Sequence, residues 1–534
     1  MNELLERIKT LWNKLYSNKY QEKLDEFINF LKTKKDSITY MPEDKFWYKK
    51  GLLYSTYVDL FAGNFDKMTE KLDYLKDLGV TTLWLLPILE SPMKDQGFDI
   101  SDFYNVRKEL GGNESFFKFV EVAHDKGIKI LFDIAINHTS IEHPWFQEAK
   151  KSKDSKYRDY YIWSIDDKKY SQARLLFKGM VNSNWTYNPE TNDYYFHRFY
   201  EIQPDLNYKN PDVLVEMIKV FTFWKEHGVD GFRMDAAPFL WKEEGTNCEN
   251  LIQTHWILKI FRASLDYLKE GTALIAEANQ PPKDVVAYFG NSDECHVAYH
   301  FPVMPKIFLS IAESNPNYII DTLSEKITPP IPKDCQWFVF LRCHDELTLE
   351  FVEPEERKKM LKYYLLDNRW IFREGEGIAG RLYNQMNKDY RKVLLAYSVL
   401  FSLQGTPINY YGDEIVMENN EEFYKKMIEK IGHKDSRFFN RGPFDDKKML
   451  EALNSPETDS YKVFHGIKKM IEIKKENEGL FSMEPIYENV NGVFKVSRKF
   501  EKKSLIIYNN LTPKSQLVDN IEIQPYSYFW KVGL

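Results

Sequence analysis

The sequence predicts an α/β protein built on a (β/α)₈ TIM barrel, and three observations carry the prediction. Short apolar runs alternate with amphipathic helical stretches about eight times along the chain. The runs are nearly continuous in apolar residues, as strands covered on both faces require. Polar residues gather at the C-terminal ends of these runs, where a barrel of this kind carries its site. An open doubly wound sheet shares the rhythm, but no glycine-rich phosphate-binding turn follows the first strand.

The elements follow in order. Residues 1–45 repeat apolar positions at Leu4, Ile8, Leu11 and Leu15, then at Leu24, Phe27 and Leu31, which reads as a helical extension. The barrel is expected over 46–138 and 201–480. "LLYSTYVDLF" opens it as a strand, "KMTEKLDYLKDLG" is a helix with a glycine stop, and "TTLWLLPIL" is the second strand. "SFFKFVEVAHDKG" then leads to "IKILFDIAI", "VLVEMIKVFTFWKEHG" to "VDGFRMDA", and "WILKIFRASLDYLKEG" to "TALIAEA". "CHVAYHF" and "CQWFVFLRC" supply two more strands, and "VLLAYSVLFSLQGTPINYYG" a helix and the last strand. Two insertions break the pattern: 139–200 after the third strand and a lid over 346–385 after the seventh. Short alternating strands with Asn/Gly turns form a small β domain over 481–534.

A net charge of −7 argues against nucleic acid as a partner. The 16 % of aromatic residues suits sugar rings, which stack on apolar faces, although large cores give the same figure. Four cysteines (Cys248, Cys295, Cys335, Cys343) form neither a CxxC pair nor a zinc spacing and read as reduced. The first residues carry charges throughout, with no apolar signal core and no membrane-spanning run, so a cytoplasmic protein without a membrane partner is expected. The oligomeric state, a homo-oligomer included, stays open.

The strand ends carry the chemistry. They present Asp99, then Asp133, Asn137 and His138, then Arg233 with Asp235, then Glu277, and finally His344 with Asp345. Each alone reads equally well as a cap or an ion pair. Together at one barrel mouth they crowd carboxylates, which is costly without a chemical use. No metal-ligand motif such as HExxH accompanies them, so paired-carboxylate glycoside chemistry is the better reading. Arg233 and Asp235 are two residues apart, hence on one strand face, where an arginine favours the ionised carboxylate that a nucleophile needs.

"FDIAINH", "GFRMDAA", "IAEAN" and "CHDE", in that order, resemble the four signature regions of the α-amylase family of retaining glycosidases, and "QPDLNY" a fifth. The resemblance implies Asp235 as nucleophile, Glu277 as general acid/base and Asp345 as the third acid. It places Asp99, Phe98, His138, Arg233 and His344 around the first glucosyl unit. Longer stretches, among them "GTNCENLIQTHWILK" and "CQWFVFLRCHDELTLE", resemble the trehalose synthase branch, which interconverts maltose and trehalose. On that likeness Asn279, Gln280, Glu346 and Glu350 are candidates for holding the second glucose, or else lid ion pairs. The substrate is expected to be a small α-glucoside.

The chain departs from that branch in places. Phe98 stands where GYD has tyrosine, Cys343 where asparagine is usual, and "HKDSRFFNRGPFDD" where an arginine-rich stretch is usual. Arg437 and Arg441 in that segment are expected to supply an arginine for Asp99. "VDLFAGNFDKMTEKL" is too short for the family's calcium loop after the first strand. The branch also implies a second calcium, whose ligands align with Asn137, Asp205, the carbonyls of Phe239 and Leu240, and a glutamate position occupied here by Lys242. An ammonium and a divalent cation repel in one small cage, so no metal and no other cofactor are expected. A maltose–trehalose transglycosylase is the first reading; an α-glucosidase or sucrose-type enzyme is the second, and a noncatalytic sugar-binding subunit the third.

Overall fold

A computed structural model describes residues 2–432 and 434–533. Met1 of the expected extension, Leu534 of the expected β domain, and His433 lie outside the described residues.

Eight parallel strands close into a barrel. They are β1 Leu53–Thr56, β2 Thr82–Leu85, β3 Lys129–Ala135, β4 Gly231–Asp235, β5 Ala273–Ala276, β6 Val297–Tyr299, β7 Gln336–Phe340 and β8 Thr406–Tyr410. Each strand pairs with its sequence neighbours, and β8 closes on β1 with Leu53 opposite Ile408. β1, β2, β5, β6, β7 and β8 are buried along their whole length, which accounts for their unbroken apolar character.

Two expected elements differ. The first run is a strand only as far as Thr56, and Val58–Phe61 forms a helical turn whose Val58 and Phe61, three apart, both point inward. The helix after it is broken into Phe65–Glu70 and Leu72–Leu78, because Lys71 turns the chain between them. Gly79 then stops it at φ 97°, a left-handed conformation that favours glycine.

Residues 2–35 form two helices, α1 Asn2–Tyr16 and α2 Gln21–Lys35. Leu5, Ile8, Leu11 and Trp12 of α1 are buried, as are Leu24, Phe27, Ile28 and Leu31 of α2. They pack on the outer barrel helices α3 Pro211–Glu226 and α4 Ile252–Leu268. After β3 the chain builds a three-stranded antiparallel sheet from Trp163–Ser164, Trp185–Asn188 and Asp193–Phe196. The antiparallel bridge between His138 and Asp205 pins the root of this insertion to the barrel. After β7 come a small sheet over 347–378 and the helix α5 Pro354–Tyr364. A four-stranded antiparallel sheet ends the chain, with Asn491 and Gly492 at positive φ in its first two-residue hairpin.

Among the described residues no helix is long and apolar enough to cross a membrane. All four cysteines are buried and unpaired.

Candidate active site

The site starts on β4. Arg233 and Asp235 share a face, and one guanidinium nitrogen lies 2.7 Å from Asp235 Oδ1 and 2.6 Å from Asp133 Oδ1. Asp133 is buried beneath the site and also accepts from Trp84 Nε1 at 3.0 Å, so it anchors the arginine from below. The next residue, Ala236, sits at φ 60°. That left-handed turn is strained for an alanine, and it aims the Ala236 N–H at Glu277 Oε2, 3.1 Å away. The end of β4 and the end of β5 are thereby coupled through one backbone amide.

The acids are tuned apart. Burial pushes the Glu277 carboxyl up to about 7, helped by the charges of Asp235 and Asp345 and opposed by Arg233. Burial would also raise Asp345, but the guanidiniums of Arg437, Arg441 and Arg233 outweigh it and hold its carboxyl below the usual range. Arg437 donates to Asp345 Oδ1 at 2.8 Å and Arg441 to the same oxygen at 3.2 Å. One buried acid that keeps its proton near neutrality beside one held ionised is the division that glycoside cleavage uses.

These groups line one pocket whose empty space, mouth included, is about 1020 Å³. Phe98 and His344 stack with ring centroids 5.5 Å apart, and His138 stands against Phe199. Burial lowers both His138 and His344, so each is a neutral ring lining the pocket. Glu346 lies under the lid, where a Cβ at Gly377 would meet its Cγ at 2.3 Å. Only glycine lets the lid strand pass that close.

The insertion and the lid meet over the pocket. Arg174 of the insertion pairs with Glu249 at 2.9 Å and with Glu350 at 2.5 Å. Glu350 also accepts from Asn279 Nδ2 at 3.2 Å and from Arg373 of the lid at 3.3 Å, while Gln280 Nε2 donates to Glu249 at 3.3 Å. Lys178 of the insertion reaches Glu376 of the lid at 2.9 Å. Phe177 and Phe372, one from each, face the Arg437 guanidinium.

Asp235, Glu277, Asp345, Phe98, His138, Arg233, His344, Asn279, Gln280, Glu346, Glu350, Arg437 and Arg441 all line the pocket. Asp99 does not. It is fully buried, and its carboxylate is consumed by Ser91 Oγ and the backbone amides of Lys94 and Asp95. The acid in the pocket is Asp95, which accepts from Gln203 Nε2 at 2.9 Å and lies in the fields of Arg437 and Arg441. The expected pairing of those arginines with Asp99 is therefore corrected: they face Asp345 and Asp95, and Arg437 is gripped by Asp435. Asp99 instead shapes the loop that delivers Asp95. Arg174 and Arg373 lie outside the quoted motifs, and Gln203 in "QPDLNY" and Glu249 in "GTNCENLIQTHWILK" end no barrel strand, so a strand-end search passes over all four.

The metal positions resolve differently. After β1 the chain goes straight into short helices, with Asn64 capping the second by accepting from Lys67 N. At the expected second cage, Lys242 Nζ lies 2.7 Å from Asn137 Oδ1 and 2.7 Å from Asp205 Oδ2. These residues do not fit a calcium ion, which takes six to eight oxygens and no ammonium. Among the described residues the one cluster of three His, Cys, Asp or Glu able to converge on a metal is Cys343, His344 and Asp345. Arg437 and Arg441 already occupy its carboxylate.

Comparison with known proteins agrees with this geometry. The model of the alpha amylase catalytic domain matches residues 28–482. A "trehalose synthase/amylase TreS" of Mycolicibacterium smegmatis is 46 % identical over 388 residues, 71 % of this chain and 65 % of that protein. A trehalose synthase of Thermus thermophilus is 44 % identical over 385 residues, 71 % of this chain and 39 % of that protein. The chain thus matches less than two thirds of the length of either relative. Among solved structures, an α-amylase from H. orenii superposes with a TM-score of 0.69 at 24 % identity, covering 88 % of this chain and 91 % of that one, a likeness of fold.

Proposed function

The chain belongs to the α-amylase family, and from that premise we propose that it transfers an α-glucosyl unit within a disaccharide, interconverting maltose and trehalose. Glu277 gives its proton to the glycosidic oxygen while Asp235 attacks the anomeric carbon from the opposite face. The C–O bond breaks, a glucosyl–Asp235 ester forms, and free glucose remains beside it. Arg233 holds one oxygen of Asp235 and leaves the other for attack. Asp345, kept charged by Arg437 and Arg441, receives hydroxyls of the distorted ring. The released glucose turns in the pocket and offers its anomeric hydroxyl, Glu277 takes that proton, and the ester opens to the other disaccharide.

The observation that favours this over hydrolysis is the ion-paired roof. Arg174 and Lys178 tie the insertion to Glu350 and Glu376 above the acids, which keeps glucose in and water out. The trehalose synthase relatives support the same choice of substrate. An α-glucosidase reading rests on Phe98, which stacks on a sugar without a phenol hydroxyl to hold it.

Incubation with maltose, trehalose and sucrose in separate reactions tests the proposal. Maltose should give trehalose as the main early product, trehalose should give maltose, and glucose should stay minor. Glucose alone from both would select the α-glucosidase, and turnover of sucrose only would select the sucrose-type enzyme.

A further inference from the structure

We propose that Lys242 is a tethered cation that takes over the work of a metal ion at the junction of the barrel and the insertion. The site holds two oxygen donors from separate parts of the fold. Asn137 ends the β3 segment and Asp205 closes the insertion, bridged there to His138, the pocket residue that follows Asn137. Two polar side chains meeting at a buried junction need a shared positive partner, since an unpaired buried carboxylate is costly. Lys242 reaches in from the segment after β4, its side chain only 1 % exposed, and stands 2.7 Å from each oxygen. The other Asp205 oxygen accepts the Arg198 backbone N–H at 2.9 Å, and the Arg198 guanidinium, fully buried, pairs with Glu249 at 2.7 Å. A divalent ion placed between Asn137 and Asp205 would therefore meet an ammonium within its own coordination sphere, with the single carboxylate of Asp205 to offset both.

The consequence reaches the roof. Contacts run from Lys242 to Asp205, from Asp205 to the backbone N–H of Arg198, and from the Arg198 guanidinium to Glu249, to Arg174 and to Glu350, so the ammonium anchors one end of a line that ends on the lid. An ammonium fixed to the chain cannot dissociate or be chelated. A metal in the same place would make this line depend on its free concentration. The inference is independent of which disaccharide the enzyme prefers.

Metal analysis and thermal melting test it. The wild-type protein, purified from calcium-containing buffer, should hold no stoichiometric calcium, and its Tm should be the same in EDTA and in millimolar calcium chloride. Lys242→Glu, expressed and purified with calcium present, should hold about one ion per chain and show a Tm that falls by several degrees in EDTA and recovers with calcium but not with sodium. Stoichiometric calcium in the wild type with an EDTA-sensitive Tm would overturn the proposal. So would a Lys242→Glu protein whose Tm ignores calcium, or one that stays insoluble with calcium present, because the site would then need something other than a positive charge.

Discussion

At the residue scale, function rests on keeping neighbouring carboxyls in different states. Glu277 and Asp345 sit in one pocket and feel several of the same charges, yet burial wins at Glu277 and the arginines win at Asp345. Asp235→Asn should cut turnover by at least about 10⁴-fold on every substrate, as loss of a nucleophile does. Glu277→Gln should lose about 10³-fold on maltose and recover much of it on aryl α-glucosides whose leaving group needs no proton. If both variants respond alike to the activated substrate, the division of roles is wrong. Because the Glu277 acid titrates at about 7, wild-type kcat/KM on maltose should fall as pH rises past neutrality, and this alkaline limb should be missing in Glu277→Gln. The stability sign follows from the same shift. A carboxyl raised on folding stabilises the fold only while protonated, so wild type loses stability as pH rises from the unfolded value through about 7. The Tm advantage of Glu277→Gln should therefore grow between pH 5 and pH 8; a constant difference would contradict it.

At the scale of elements, the insertion and the lid behave as two jaws joined by a few charges. Arg174 binds Glu249 in the segment after β4 and Glu350 at the lid base, both nearly buried, whereas Lys178 is half exposed. Without Arg174, Glu249 keeps Arg198 and Gln280 while Glu350 keeps Asn279 and Arg373, so what is lost is the bridge from the insertion to the lid. The exposed Lys178 pair is worth only about 0–1 kcal/mol. Arg174→Ala should raise the glucose share of the products severalfold while maltose consumption stays within about tenfold, since the roof leaks but the acids stay in place. Lys178→Ala should leave the product ratio within about twofold. Chromatographic product ratios over time decide between this and a purely structural Arg174, for which rate would drop and the ratio would not move.

At the scale of the whole molecule, the N-terminal helices are part of the barrel's outer layer. Nine largely apolar side chains of α1 and α2 are buried, at about 1.5–3 kcal/mol each as an upper estimate. Together that is at least comparable to the usual margin of about 5–15 kcal/mol for a folded domain, so the two helices are not optional trim. Removing residues 2–35 behind a start methionine should give insoluble protein, and Trp12→Ala should cost about 3–5 kcal/mol by denaturant melts with the pocket chemistry intact. A soluble, active truncation with an unchanged Tm would show that this layer is independent.

Local periodicity and strand position made much of the fold and part of the site legible from the chain alone. Period-two alternation set Arg233 and Asp235 on one face, the apolar runs announced eight buried strands, and the residues ending those strands included Glu277, His344 and Asp345. The lysine at 242 could also be read as the wrong charge for a metal cage, because charge needs no geometry to be noticed. Tertiary structure alone settles which aspartate of "KDQGFD" faces the pocket, since the path of that loop turns Asp95 inward and spends Asp99 on backbone amides. It alone brought together Arg174, Glu249, Glu350 and Arg373, which lie up to 199 positions apart in sequence. Loop side chains take their direction from whatever packs against them, and that partner is supplied by a distant part of the chain.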